Sequence, residues 1–170
     1  THGRVIVVED DLVVAPGFLA WMNAALDRYE DELDVCQVSG HMFDLPGKPR
    51  LKHPVMLPFT TTWGWGTWKR AWAGLDWELS AADRVLASPQ VREAFNLDGA
   101  YDYCSMLRRQ LSGRIDSWGI RWYLSVFDRG GLVVYPPVSL VENRGVTGPG
   151  THGGTRLRRY RHGVASRRVD

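Results

Sequence analysis

The sequence lacks most of the features that would place a chain at sight. None of its apolar runs approaches the roughly 20 residues that a membrane-spanning helix needs, so no spanning segment is read from it. It has two cysteines, Cys36 and Cys104, at no metal-site or redox spacing. That excludes a zinc ribbon or a disulfide scaffold and leaves two buried free thiols in a reducing compartment. Internal repeats and low-complexity blocks are missing, which removes solenoids and long linkers. No fold motif for nucleic acid is present, so nucleic acid is not an expected partner.

What remains is 170 residues of globular composition, 44% hydrophobic and 24% charged, enough for one domain with a sizeable core. The net charge of +2 hides an asymmetry. Residues 156–170, "RLRRYRHGVASRRVD", hold six Arg and one Asp, while the rest of the chain carries more acid than base. The body is therefore read as residues 1–155. The basic tail, 156–170, is read as a flexible terminus able to touch anionic lipid headgroups. Eight tryptophans are present, most of them in "TTWGWGTWKRAWAGLDWE" and "DSWGIRW". Tryptophan not needed for packing often forms a platform for ring-shaped ligands such as sugars.

Residues 4–9 are apolar on both faces, the pattern of a strand at the centre of a parallel sheet. Pro16 then suits a helix start, and Phe18, Met22, Ala25, Leu26 and Tyr29 recur at helical spacing. "VCQVS", 35–39, reads as a second strand, and the Pro- and Gly-rich stretch after it as an exposed loop. The patterning predicts helices over 65–75, 80–86, 89–95, 101–111 and 117–128. A last strand, "LVVY", precedes a loop that begins at Pro136. This order predicts an α/β fold. A parallel sheet rarely opens on its chemically loaded strand, so an upstream half is expected.

The chemistry centres on "VIVVEDDLVVAPGF", 5–18. Glu9, Asp10 and Asp11 end a strand that reads as buried, where three anions repel and need compensation. Ligands of α/β sheets bind beyond the carboxyl ends of strands. Mg²⁺ or Mn²⁺ is typically held by one or two carboxylates plus substrate phosphates. A solvated strand end beside a helix N-terminus is the alternative. His152, in "GPGTHGG", could complete a metal shell or touch a phosphate. His2, His41, His53 and His162 show no ligand spacing. Asp116, in "GRIDSWGIRW", is either a helix cap or a general base that deprotonates a hydroxyl, with Asp98 and Asp102 as rivals. Arg121 and Arg144 could pair with phosphates or with these acids. Trp63, Trp65 and Trp68 form a wall around Gly64 and Gly66.

Taken together, "VIVVEDDLVVAPGFLAWMNAAL", "VSGHMF", "TTWGWGTWKRAW", "GRIDSWGIRW" and "VVYPPVSLVENRGVTGPGTH" resemble bacterial glycosyltransferases of the GT-A fold that assemble surface polysaccharides. That group is similar to the animal N-acetylglucosaminyltransferase that starts complex N-glycan branching. The resemblance spans residues 4–152. It implies that 9–11 is the DXD-type motif, with Asp11 on the metal that bridges the donor diphosphate and Asp10 and Glu9 facing the donor's ribose and sugar. It implies that the segment from Trp63 to Trp68 lines the donor-sugar and acceptor pocket, with Trp63, Gly64 and Trp65 on the donor, and that "IDSW" supplies the base. In the animal enzyme the nearer of two acids before that tryptophan is the base. Here Ser117 holds the nearer place and Asp116 stands one position earlier. His152 falls at a glycine-histidine turn near the family's active site. The resemblance starts after the nucleotide-binding β-α-β half, so a partial GT-A fold is expected. The implied partners are a nucleotide-sugar donor and a glycan or lipid-linked acceptor, in the cytoplasm or at the inner face of the membrane. The implied reaction is direct displacement with inversion.

Two other classes fit some of these residues. A carbohydrate-binding module would use the tryptophans and leave the acids solvated. A metal-dependent phosphohydrolase would use the acids, but no second acidic cluster is present for it.

Overall fold

The computed structural model describes residues 2–44 and 51–145. Seven strands and six helices follow in the order β1 (Arg4–Val7), β2 (Leu12–Val14), α1 (Phe18–Arg28), β3 (Val35–Ser39), β4 (Val55–Leu57), β5 (Trp65–Trp68), α2 (Lys69–Trp72), α3 (Ala82–Ala87), α4 (Pro89–Phe95), α5 (Tyr103–Leu111), α6 (Trp118–Asp128), β6 (Leu132–Tyr135) and β7 (Val141–Asn143). The architecture is α/β with a mixed sheet, in the order β1-β5-β3-β6-β4. The β3/β6 pair is parallel, and the other three pairs are antiparallel.

Both faces of the sheet are covered. On one, the apolar stripe of α1 (Phe18, Met22, Ala25, Leu26) packs on Val35, Val38, Trp68 and Val134. On the other, Trp122 and Val126 of α6 pack on Cys36 and Trp65. Helices α3, α4 and α5 gather on the far side of α6 around Val85, Phe95, Leu107, Ile120, Tyr123 and Leu124. A bulge at Cys36 shifts the register between Val35 and Gln37. The extra residue turns Cys36 and Gln37 toward α6 in succession, and the indole N–H of Trp122 donates to Gln37 Oε1 at 2.7 Å. Arg70 closes the C-terminal end of α1. Its guanidinium stacks on Trp68 at 4.4 Å and donates to the carbonyls of Tyr29, Glu30, Glu32 and Val35.

Two expectations are corrected. Strand β1 lies at the end of the described sheet, antiparallel to β5, rather than at the centre of a parallel one. Its Val5 and the following Val8 are 50% and 46% exposed. Trp65–Trp68 is a strand, and helix begins only at Lys69. Gly66 is the reason β5 fits there: a β-carbon would stand 3.0 Å from both Met22 Cε and the Val5 carbonyl. The expected helix over 65–75 gives way at 65–68 to sheet pairing with β1 and β3.

Candidate functional site

One end of the sheet collects the residues that can act. Val7, Trp65 and Ser39 stand in register across β1, β5 and β3. Glu9–Asp11 follow β1 at that end, Gly40 and His41 follow β3, and Trp63 and Gly64 precede β5. The β2/β7 ribbon runs beside them, pairing Leu12 with Asn143 and Val14 with Val141. The chain is drawn tight here. The N–H of Gly40 donates to the Gly64 carbonyl at 2.6 Å, and the N–H of Leu140 donates to the Gly40 carbonyl at 2.8 Å. Gly64 has φ +57, and a β-carbon there would meet Val141 Cγ1 at 2.7 Å, so both backbone and space call for glycine.

The acidic triplet is a turn in which the N–H of Leu12 donates to the Glu9 carbonyl. Asp10 is exposed and Glu9 half-buried. Asp11 differs from both. Its carbonyl accepts from the N–H of Arg144 at 2.9 Å, and its side chain lies under Gly145. Its Oδ1 is buried and has no hydrogen-bond partner among the described residues. A buried carboxylate oxygen without a donor is costly. Among the described residues no group of three or more His, Cys, Asp or Glu side chains converges. Among the described residues, Asp11 is the side chain placed to donate a buried carboxylate oxygen. The described residues alone do not make a protein cage of three or more such ligands, but a carboxylate of this kind fits Mg²⁺ or Mn²⁺ completed by substrate phosphates. His152 lies outside the described residues, as do 156–170.

The tryptophan wall divides by role. Trp68 is buried and its indole N–H donates to the Leu26 carbonyl, so it is core. Trp65 is 3% exposed, stacks on Trp118 at 5.3 Å, and has an indole nitrogen with no hydrogen-bond partner among the described residues. Trp63 is half-buried and stands edge-on to His41 at 4.9 Å.

The start of α6 reaches the same end. A β-carbon on Gly119 would touch Thr62 Cγ2 at 3.4 Å, just before Trp63. Asp116 precedes this helix, is 93% exposed at its side chain, and pairs with Arg121 at 3.4 Å. Arg121 also donates to the Trp77 carbonyl and lies 6.0 Å from that ring. The described contacts of its guanidinium are thus with Asp116 and Trp77. Asp102 is the N-cap of α5, accepting from the N–H of Ser105 at 3.0 Å. The opposite end of α5 touches the α6 start, where the N–H of Ser117 donates to Gln110 Oε1 at 2.7 Å. Asp102 and Asp116 are thereby separated by about 12 Å of helix rise.

Compared with known proteins, the chain matches no family model and no curated sequence. The site is therefore read from its own residues.

Five residues at this end carry no local sequence signal: Gln37, Ser39, His41, Thr61 and Ser139. Gln37 Nε2 donates to the Thr61 carbonyl at 2.6 Å, and Ser39 Oγ meets Thr61 Oγ1 at 2.8 Å. His41 Nδ1 lies 3.3 Å from Ser139 Oγ. These contacts span 22 to 98 residues of sequence, and no local spacing rule reaches that far. Buried polar residues in a strand such as "VCQVS" are the one available hint.

No helix among the described residues is long and apolar enough to cross a membrane.

Proposed function

We propose that the chain is the metal- and acceptor-side portion of a GT-A-type glycosyltransferase, moving a sugar from a nucleotide donor to a glycan or lipid-linked acceptor. The observation that carries this reading is the buried Oδ1 of Asp11, which has no hydrogen-bond partner among the described residues and lies in the turn after β1, on the same end of the sheet as Trp63. Asp11 would hold Mn²⁺ or Mg²⁺. A cation bound there supplies charge neutralisation for the departing nucleoside diphosphate. Glu9 and Asp10 accept hydrogen bonds from donor hydroxyls. Trp63 presents an apolar ring to the sugar's C–H face. Asp116, exposed beside the start of α6, takes the acceptor hydroxyl's proton, and Arg121 holds its carboxylate in place. With Asp116 as the base, the displacement would be direct, with inversion at the anomeric carbon. The exposed apolar edge of β1 supports the further expectation that a nucleotide-binding half packs there in the full enzyme. A cytoplasmic place near the membrane's inner face, with the basic tail on lipid, belongs to the same proposal.

A second reading has one observation in its favour: a half-buried tryptophan on the same end of the sheet as a half-buried carboxylate also suits a sugar-binding module. The two separate by thermal shift. The transferase reading expects Mn²⁺ with UDP or GDP to raise Tm, and Asp11→Ala to abolish the rise. Glycan binding indifferent to EDTA, with no nucleotide effect, would replace it with the module.

A further inference from the structure

We propose that the C-terminal end of α5 is a docking surface for an anionic lipid bilayer.

Helix α5 ends at Leu111, and the chain then folds back on its last turn. The N–H of Gly113 donates to the Gln110 carbonyl at 3.1 Å, and the N–H of Arg114 donates to the Arg109 carbonyl at 2.9 Å. Gly113 has φ +68, the left-handed conformation that this closure needs. In such a closure an apolar contact frequently joins the residue after the glycine to one in the last turn. Here those positions are Arg114, Arg109 and Arg108.

All three arginines are exposed, and among the described residues none of them forms an ion pair. Asp116, the carboxylate that follows, is paired with Arg121, and Asp102 caps the opposite end of α5. The negative end of the helix favours cations there. It does not remove the repulsion among three guanidinium groups gathered on one turn. An external anion does.

Leu111 selects the kind of anion. It is 47% exposed and stands three residues after Arg108, on the same side of the helix. A free phosphate or a nucleic-acid backbone gains nothing from an exposed leucine. A bilayer uses both, its headgroup phosphates meeting the arginines and its acyl boundary the leucine. Asp116 is two residues past Arg114, within about 7 Å along the chain. On the transferase reading above, on which this consequence rests, the base then faces the membrane and serves the lipid-linked acceptor.

The test is flotation of the full chain with phosphatidylcholine vesicles, with and without phosphatidylglycerol. The chain should bind the anionic vesicles and not the neutral ones, and about 0.5 M NaCl should release it. Arg108→Gln, Arg109→Gln and Arg114→Gln together should weaken binding about 10- to 100-fold, at roughly fivefold per arginine. The tail also carries arginines, so the place of contact is read separately. An environment-sensitive fluorophore on Leu111→Cys should shift to the blue on anionic vesicles, and the same fluorophore on Leu33→Cys should not. Leu33 is 77% exposed and precedes β3, at the other end of the sheet. Cys36 and Cys104 are buried, so the label goes to the introduced thiol. An unshifted Leu111 label, unchanged binding by the triple variant, or equal binding to both vesicles overturns the proposal. Binding of inorganic diphosphate by these arginines without a Leu111 shift makes them a phosphate site and also overturns it. None of these readouts uses nucleotide. Docking without any effect of Mn²⁺ and UDP or GDP on Tm would therefore sink the transferase reading and leave the surface standing.

Discussion

Gly145 lies against the carboxylate of Asp11: a β-carbon at position 145 would stand 3.0 Å from Cγ and 3.1 Å from Cβ of that aspartate. Glycine is needed there for space, since its backbone is not among the positive-φ positions. Gly145→Ala must therefore displace the Asp11 side chain. The expected outcome is loss of at least half of the Mn²⁺- and nucleotide-dependent rise in Tm, with the Tm of the protein alone moved by about 2 °C or less. Differential scanning fluorimetry of both proteins measures this.

The buried amide of Gln37 accepts from Trp122 and donates to Thr61, so it joins α6 to the loop that carries Trp63. Gln37→Leu leaves a buried donor and a buried acceptor without partners. The expected loss is about 2–4 kcal/mol, or about 4–16 °C in Tm. Gln37→Glu keeps the acceptor for Trp122 but sets a carboxylate against the Thr61 carbonyl, and should be no better. Urea unfolding of the variants gives the comparison.

Alkali should unfold the protein through its buried phenols and thiols. Burial pushes the hydroxyls of Tyr123 and Tyr135 well above their ordinary value of 10.0, and the thiols of Cys36 and Cys104 above 9.0. The unfolded chain loses these protons first, so it binds fewer protons than the folded chain above those values. Stability is then fully present below about pH 9 and falls as pH rises beyond it. Tm should be level from about pH 7 to 8.5 as far as these groups act, then decline. The decline above about pH 10 should be shallower in Tyr123→Phe and Tyr135→Phe.

Much of the scaffold is legible because its signals are local. Ser88 before Pro89 marks the start of α4, and its side chain does accept from the Val91 N–H. The stripe of α1 and the apolar run of β6 read directly as core. What misleads is non-local. Trp65–Trp68 reads as helix until pairing with β1 and β3 makes it a strand. The β2/β7 ribbon joins segments that lie more than a hundred residues apart, and the sequence shows only a loop at β7. In the site, the acidic triplet draws attention as a block, yet a glycine far along the chain separates Asp11 from its neighbours. His41 carries no ligand spacing because its partners, Trp63 and Ser139, come from other elements. Asp102 resembles a base in sequence and serves as a helix cap in space.

The central claim is that Asp11 is the protein's ligand for a cation shared with a nucleoside diphosphate. Electron paramagnetic resonance of Mn²⁺ tests it most directly, because the free-ion signal falls as the ion is bound. With UDP or GDP present, the wild-type chain should quench more of that signal than the nucleotide does alone, and Asp11→Asn should remove the difference while Asp10→Asn keeps most of it. Equal quenching by the wild type and Asp11→Asn would contradict the account.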